Sequence, residues 1–370
     1  MQKMIKNESL IMNRNSFLEK FTGSIAYQVE NEQKSKFLFE ELSYLTQHHL
    51  ERCEKYANFV RTFKAHETRC TLSDIPFFSV RAFKEFELLS IDKKQIFKTM
   101  ISSGTSGQAV SKIYLDQETA SLQSRVLTNL MRDVTGPTRL PMLIIDAPNS
   151  VKNRTNFSAR GAGIIGFSLY GKDVTFALND DYSLNMDIVK SFFNRYVNKQ
   201  VFVFGFTFMV WKCFLEKPLE FKILIDKTKS VLLHGGGWKR LSDEAVSPLE
   251  FKTRVEQTLG IKKVVNYYGL VEQTGSLYFE CEHGYLHSSV YSDVITRCPR
   301  DLSEVSHGDE GVIQVLSCIP RSYPGHSLLT DDLGVIHGVD DCKCGRKGKY
   351  FSINGRLEAA EVRGCSDAAK

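Results

Sequence analysis

The chain has 370 residues, 42% hydrophobic and 25% charged, the composition of an ordinary globular protein with room for one large or two medium domains. Its net charge of +5 is small for this length, no Lys/Arg run is dense enough to propose nucleic acid as a partner, and no stretch reaches the length of a membrane span. With no apolar segment after Lys3 and Lys6 to make an export signal, and nine scattered cysteines that lack a disulfide framework's spacing, a cytoplasmic protein is expected, its close cysteine pairs metal or catalytic candidates.

From about Ser16 to Lys64 the chain reads as helical: Cys53, Tyr56, Val60 and Phe63 recur three to four apart, and no proline interrupts. After Pro76 come short apolar runs suited to buried strands, at 142–145, 201–204, 231–233 and 264–268. A helix is predicted to begin at Ser247-Pro248-Leu249-Glu250, with Ser247 as cap, Pro248 in the first turn and Glu250 closing a capping box; Gly260 ends it. Such alternation predicts an α/β fold with a parallel sheet, followed beyond about Gly308 by short strands of a smaller β subdomain. Three strands run into Gly-rich or polar loops, at Gly205, at His234-Gly235-Gly236-Gly237 and at Gly269-Leu270-Val271-Glu272. In open α/β sheets the ligand crevice lies outside the carboxyl ends of the strands, so these loops are expected to form one site.

Three segments carry chemistry. Ser102-Ser103-Gly104-Thr105-Ser106-Gly107 offers four hydroxyls and two glycines between strand-like flanks, with Lys112 as a following countercharge. Glycines let successive N–H groups aim at one anion, which suits phosphate; a polar β-hairpin turn reads as well. In Asn266-Tyr267-Tyr268-Gly269-Leu270-Val271-Glu272, the carboxylate just past a strand end suits Mg²⁺ held mainly by phosphates, or is a solvated loop acid. In Thr330-Asp331-Asp332 the acidic pair can accept from ribose hydroxyls, or belongs to a polar turn. A fourth cluster, Cys281-Glu282-His283-Gly284-Tyr285-Leu286-His287 with Cys342-Lys343-Cys344-Gly345, supplies three thiols and an imidazole, the donor set of a closed tetrahedral zinc site, with His283 and His287 both eligible. Cys53, Cys213 and most of the run Phe202, Phe204, Phe206, Phe208 and Trp211 read as core, with the part past Gly205 near ligand.

In this order the first three segments resemble the acyl-adenylate-forming superfamily of acyl-CoA synthetases, luciferases and peptide-synthetase adenylation domains. The resemblance implies that Ser102–Gly107 and Lys112 grip the phosphates of ATP, that Tyr268 and Gly269 with Gly235, Gly236 and Gly237 line adenine, that Glu272 holds Mg²⁺ and that Asp332 holds ribose. Asp331 stands where that family usually has Gly. Gly355-Arg356-Leu357-Glu358, followed by Arg363-Gly364, resembles its hinge, with Glu358 for the usual Asp and Arg356 steadying the nucleotide. The family's mobile C-terminal domain with its catalytic lysine has no counterpart before Lys370, which points to one branch, the acyl-protein synthetases of the bacterial luminescence fatty acid reductase. For that branch the expected plan is a helical segment over 1–68, an adenylate-forming core over 69–350 with a β subdomain near 280–350, and a hinge-like tail over 351–370. It implies activation of a fatty acid as acyl-AMP, transfer to Cys365 near the chain's end, and delivery to an NADPH-dependent acyl reductase. Arg363 beside Cys365 would favour the thiolate, the form that attacks an acyl carbon. Relatives resembling phenylacetate-CoA ligase imply that the zinc ligands are Cys281, His287, Cys342 and Cys344, with no part in catalysis. Two competing expectations are an acid–CoA ligase to which Cys365 is incidental, and a non-catalytic, zinc-stabilised nucleotide-binding module.

Overall fold

The computed structural model describes residues 26–62, 70–102, 110–151, 159–238 and 244–357. One sheet of twelve strands organises them, in the order β11-β12-β13-β14-β10-β9-β8-β7-β6-β4-β5, with β1 (Phe78–Ser79) alongside β13. The parallel half is β4 (Leu140–Ile145), β5 (Gly171–Phe176), β6 (Phe202–Phe206), β7 (Val231–Gly235) and β8 (Lys263–Gly269). Every residue of β4, β6 and β7 is buried, the consequence of covering a parallel sheet on both faces, which is why these strands are nearly continuous apolar runs. In the helix Pro248–Leu259 before β8, Ser247 Oγ accepts from the Glu250 amide at 3.1 Å, and Gly260 closes the helix at φ +71°.

From β8 onward the strands turn antiparallel. The β-rich region expected beyond residue 280 is built on the same sheet, because β9 (Leu277–Glu280) pairs directly with β8. It continues through β10 (Leu286–His287), β14 (Lys349–Arg356), β13 (Ser327–Val339), β12 (Glu310–Ser317) and β11 (Ser292–Arg297). A separate two-stranded hairpin, β2 (Lys98–Ile101) with β3 (Lys112–Leu115), stands beside it.

The helical N-terminal region resolves into α1 (Asn31–Arg52) and α2 (Glu54–Thr62). Cys53, expected on a helix face, lies at the break between them in extended backbone (φ −124°), yet is buried. Leu38, Leu42 and Leu45 form the buried stripe of α1, and Lys34 on the same helix is itself buried, its Nζ donating to Ser288 Oγ at 2.8 Å and 3.5 Å from Asp293. Asp293 in turn faces Lys349 at 3.5 Å, so paired charges join α1 to the antiparallel strands. Among the described residues, no helix is long and apolar enough to cross a membrane.

Candidate active site and thiol cluster

The parallel strands deliver the glycine loops to one edge of the sheet. Register pairs Ile145 with Gly205, Phe206 with Gly235 and Gly235 with Tyr267, so the ends of β4, β6, β7 and β8 stand side by side. Gly236 (φ +85°) and Gly237 (φ +61°) turn the chain in the left-handed region, which glycine adopts without strain. Gly235 is needed for space: a Cβ there would lie 2.5 Å from the Tyr267 ring. Thr207 braces the turn, its hydroxyl 2.9 Å from His234 Nδ1 and donating to the Gly235 carbonyl at 3.1 Å.

Tyr267 and Tyr268 leave opposite faces of β8. The ring against the glycine turn is that of Tyr267, while Tyr268 packs near Tyr278 and Phe351 and donates its hydroxyl to Asp332 Oδ2 at 2.6 Å. Asp332 Oδ1 accepts from Arg356 Nε at 2.9 Å, a pair made when β13 meets β14 in register. Thr330 fixes the strand here: its hydroxyl donates to the Ile313 carbonyl at 2.7 Å and accepts from the Asp332 amide at 3.1 Å. Burial, then the Asp332 charge, pushes the Tyr268 phenol well above its usual range, so it stays a donor. Asp331 faces away and receives Arg81 Nε at 2.9 Å, which accounts for a side chain where the resembling family has Gly.

Glu272 sits in the single turn Val271–Gln273 after β8, buried beside Ser111 at the base of the β2–β3 hairpin. Burial raises its carboxyl above the usual range, opposed by the Ser111 hydroxyl and, more weakly, by Arg356. The following side chain, Gln273, holds the turn in place, Nε2 donating to the carbonyls of Val315 at 3.2 Å and Gly325 at 2.9 Å. The hairpin closes with Ser102 Oγ accepting from the Ser111 amide at 2.8 Å, and Lys112 opens β3 with its side chain exposed. Ser103, Gly104, Thr105, Ser106 and Gly107 lie outside the described residues, as do Glu358, Arg363 and Cys365. Glu272, Asp332, Arg356, Tyr268 and the hairpin base thus gather in one region, while the Gly235–Gly237 turn meets them through β8. Thr207 and Gln273 had no signal in the spacing, because each is a single polar residue whose partners lie far along the chain, at His234 and Gly235 for Thr207 and at Val315 and Gly325 for Gln273.

The second constellation assembles from two turns. Cys281 follows β9 in a turn closed by the Gly284 amide donating to the Cys281 carbonyl at 3.0 Å, with Gly284 at φ +84°. Between β13 and β14, Gly345 (φ +80°) donates to the Cys342 carbonyl at 2.9 Å. Pairing of β10 with both β9 and β14 sets the turns together and adds His287. The ligand atoms of Cys281, His287, Cys342 and Cys344 all lie within 4.8 Å of one another, with Cys281 Sγ 4.0 Å from Cys342 Sγ and Cys344 Sγ 3.4 Å from His287 Nε2. Sulfurs around tetrahedral zinc stand about 3.8 Å apart, given Zn–S bonds of ~2.3 Å, so the donor set fits that ion. Burial pushes His287 down to about 3, leaving a neutral imidazole with a lone pair for a metal. His283 is exposed and outside the cluster.

This sheet, with its glycine-ended parallel strands and antiparallel extension, is the fold of the adenylate-forming ligases. The chain resembles 2-hydroxyisobutyryl-CoA ligase in the postadenylation state with 2-HIB-AMP (TM-score 0.64, 14% identity, 90% of this chain and 69% of that one). It is equally similar to an open conformation of that ligase with 2-HIB-AMP and CoA (TM-score 0.64, 15% identity, 90% and 77% covered). The family model for the acyl-protein synthetase, LuxE, matches residues 2–370, and the chain belongs to this family. A curated relative, the long-chain-fatty-acid–luciferin-component ligase of Vibrio harveyi, is 22% identical over 332 residues, 86% of this chain and 84% of that protein.

Proposed function

We propose that this protein activates a fatty acid with MgATP as acyl-adenylate, takes the acyl group onto Cys365 and passes it to an NADPH-dependent acyl reductase in the cytoplasm. The observation that carries the reading is the convergence of Asp332, held by Tyr268 and Arg356, with Glu272 and the base of the Ser102 hairpin. The acid's carboxylate attacks the α-phosphorus; the new O–P bond forms as the bond to pyrophosphate breaks. Ser102 to Gly107 and Lys112 hold the departing pyrophosphate, Asp332 and Arg356 orient the nucleotide, and Glu272 holds Mg²⁺, which supplies charge neutralisation on the phosphates when bound. The Cys365 thiolate then attacks the acyl carbon, and AMP leaves as the thioester forms. Cys281, His287, Cys342 and Cys344 hold a structural zinc ion that ties β9, β10 and the β13–β14 turn together.

Acid-dependent exchange of labelled pyrophosphate into ATP, run over short, long and aromatic acids, tests the first step, and its absence overturns the reading. Cys365→Ser should keep that exchange and lose covalent labelling by radiolabelled acid. Undiminished labelling removes Cys365 as acceptor, and coenzyme A consumption surviving the substitution assigns the acyl group to the free thiol.

A further inference from the structure

At the carboxyl end of β4, one strand beyond the glycine turns, lies a buried ion pair that the proposed chemistry leaves unused. Asp146 follows Ile145 directly and is 1% exposed; Arg160, in the first turn of the helix Ala159–Ser168, is also 1% exposed. Arg160 Nε and Nη2 each donate to Asp146 at 2.7 Å. The carboxylate also accepts from the Ala147 amide at 2.7 Å and the Ser150 hydroxyl at 2.5 Å. Two-point attachment fixes the guanidinium plane and turns its third nitrogen, Nη1, away from Asp146. That nitrogen is buried with no hydrogen-bond partner among the described residues. Aromatic rings flank the guanidinium, Tyr182 at 5.0 Å and Phe208 at 5.9 Å.

An unmade hydrogen bond on a buried charged donor costs free energy, so its presence beside the glycine turns calls for a reason. Its location supplies the reason. Phe208 lies two residues past β6, and Thr207 between them hydrogen-bonds the Gly235 carbonyl. The helix bearing Arg160 also packs toward the glycine turn: Cβ atoms added at Gly163 and Gly236 would both touch the Phe206 ring, at 3.3 and 2.9 Å. From β4 to β7 is two strand spacings, about 10 Å, the reach of one ligand lying along the sheet edge.

We propose that Arg160 Nη1 donates a hydrogen bond to a carboxylate oxygen of the acid substrate, with Asp146 as the positioning residue that aims it. One substrate oxygen is held in a charge-assisted bond and the other is left free to attack. The assignment rests on the proposed adenylation. The rings of Phe208 and Tyr182 exclude water from the bond and suit an acid whose chain is apolar.

Equilibrium binding of dodecanoic acid and of dodecanol, which lacks the carboxylate, tests it on the full chain. Arg160→Lys keeps a cation for Asp146 and removes the fork. Acid binding and the KM for acid in pyrophosphate exchange should weaken about tenfold or more, with alcohol binding and the KM for ATP unchanged. Asp146→Asn should weaken acid binding less, in the same direction. Acid binding unaffected by Arg160→Lys, or acid and alcohol binding falling together, overturns the assignment, while wild-type exchange in the same preparation leaves the adenylation reading standing. Wild-type protein that shows no acid-dependent exchange overturns both.

Discussion

Asp332 and the thiol cluster belong to the same antiparallel part of the sheet, one on β13 and the other mainly in the turns between strands, and differ in how their polar atoms are satisfied. Both carboxylate oxygens of Asp332 already have partners, Tyr268 at 2.6 Å and Arg356 at 2.9 Å, so a ribose bound there as proposed has to share or displace them. The donor atoms of Cys281, His287, Cys342 and Cys344 face chiefly one another, with the Arg346 amide reaching Cys344 Sγ at 3.5 Å. A site that must bind and release its ligand is held in shape by protein partners when empty; a site that keeps its ion depends on that ion. Loss of the proposed zinc should therefore have the largest effect. We expect about one zinc per chain by elemental analysis, lost in Cys342→Ser together with ~5 kcal/mol or more of unfolding free energy. Zinc content unchanged in that variant would break the comparison.

Next in size are the groups proposed to hold the nucleotide and its metal, which should affect catalysis more than folding. Glu272→Gln should slow pyrophosphate exchange by ~100-fold or more while thermal unfolding barely moves. A loss of stability matching the loss of exchange would make Glu272 a structural residue. Asp332→Asn gives up the charge in two hydrogen bonds and should raise the KM for ATP about tenfold, with the KM for acid unaltered.

How legible each region was follows from how it is encoded. The thiol cluster shows in the short spacings Cys342-x-Cys344-Gly345 and Cys281-x-x-Gly284, because each turn is local and its glycine takes a positive φ, whereas the choice of His287 over His283 comes only from the family resemblance. The glycine turn after β7 shows for the same reason, and the Ser247 cap needs only the next three residues. Pairing across the sheet does not show. Nothing near Gln314 marks it as buried; it is so because Arg297 on β11 donates to it at 2.6 Å and Ser327 on β13 is 3.0 Å away. Asp146 and Arg160 are ordinary charges in the sequence, and only the ends of β4 and the next helix make them a buried pair. The join of β9 to β8, which puts the antiparallel strands on the parallel sheet, depends on a turn at Glu272 whose chemistry is read more easily than its geometry.

Smaller effects sharpen the comparison by separating scaffold from site. His49 on α1 stacks on His326 at 5.0 Å, with His48 and Arg321 nearby, and its Nδ1 is 2.7 Å from Ser90 Oγ. Burial, then these neighbours, holds it well below the ordinary 6.5, and burial with Lys252 nearby holds His234 down at about 3. Below pH 6.5 the unfolded chain therefore binds protons that the folded chain does not. Stability is fully present above that pH and falls as pH drops toward the folded values, by about 1.4 kcal/mol per pH unit for each group. His49→Gln should flatten the slope of denaturation midpoint against pH between 6.5 and 5; an unchanged slope removes His49 from the account.

The smallest effect belongs to Arg81 and Asp331, the latter beside Asp332 in sequence but outside its hydrogen-bond network. Arg81 is 45% exposed, so water screens the 2.9 Å contact, and Arg81→Ala should cost at most about 1 kcal/mol of stability. If the pair merely fills the position where the resembling family has Gly, the KM for ATP should not change either. A severalfold rise in that KM would mean that Asp331, released from Arg81, acts on its neighbours: Glu272, whose carboxyl its charge already raises, and Asp332. The double variant Arg81→Ala/Asp331→Gly separates the two cases, because it restores the KM only if the freed Asp331 charge causes the rise.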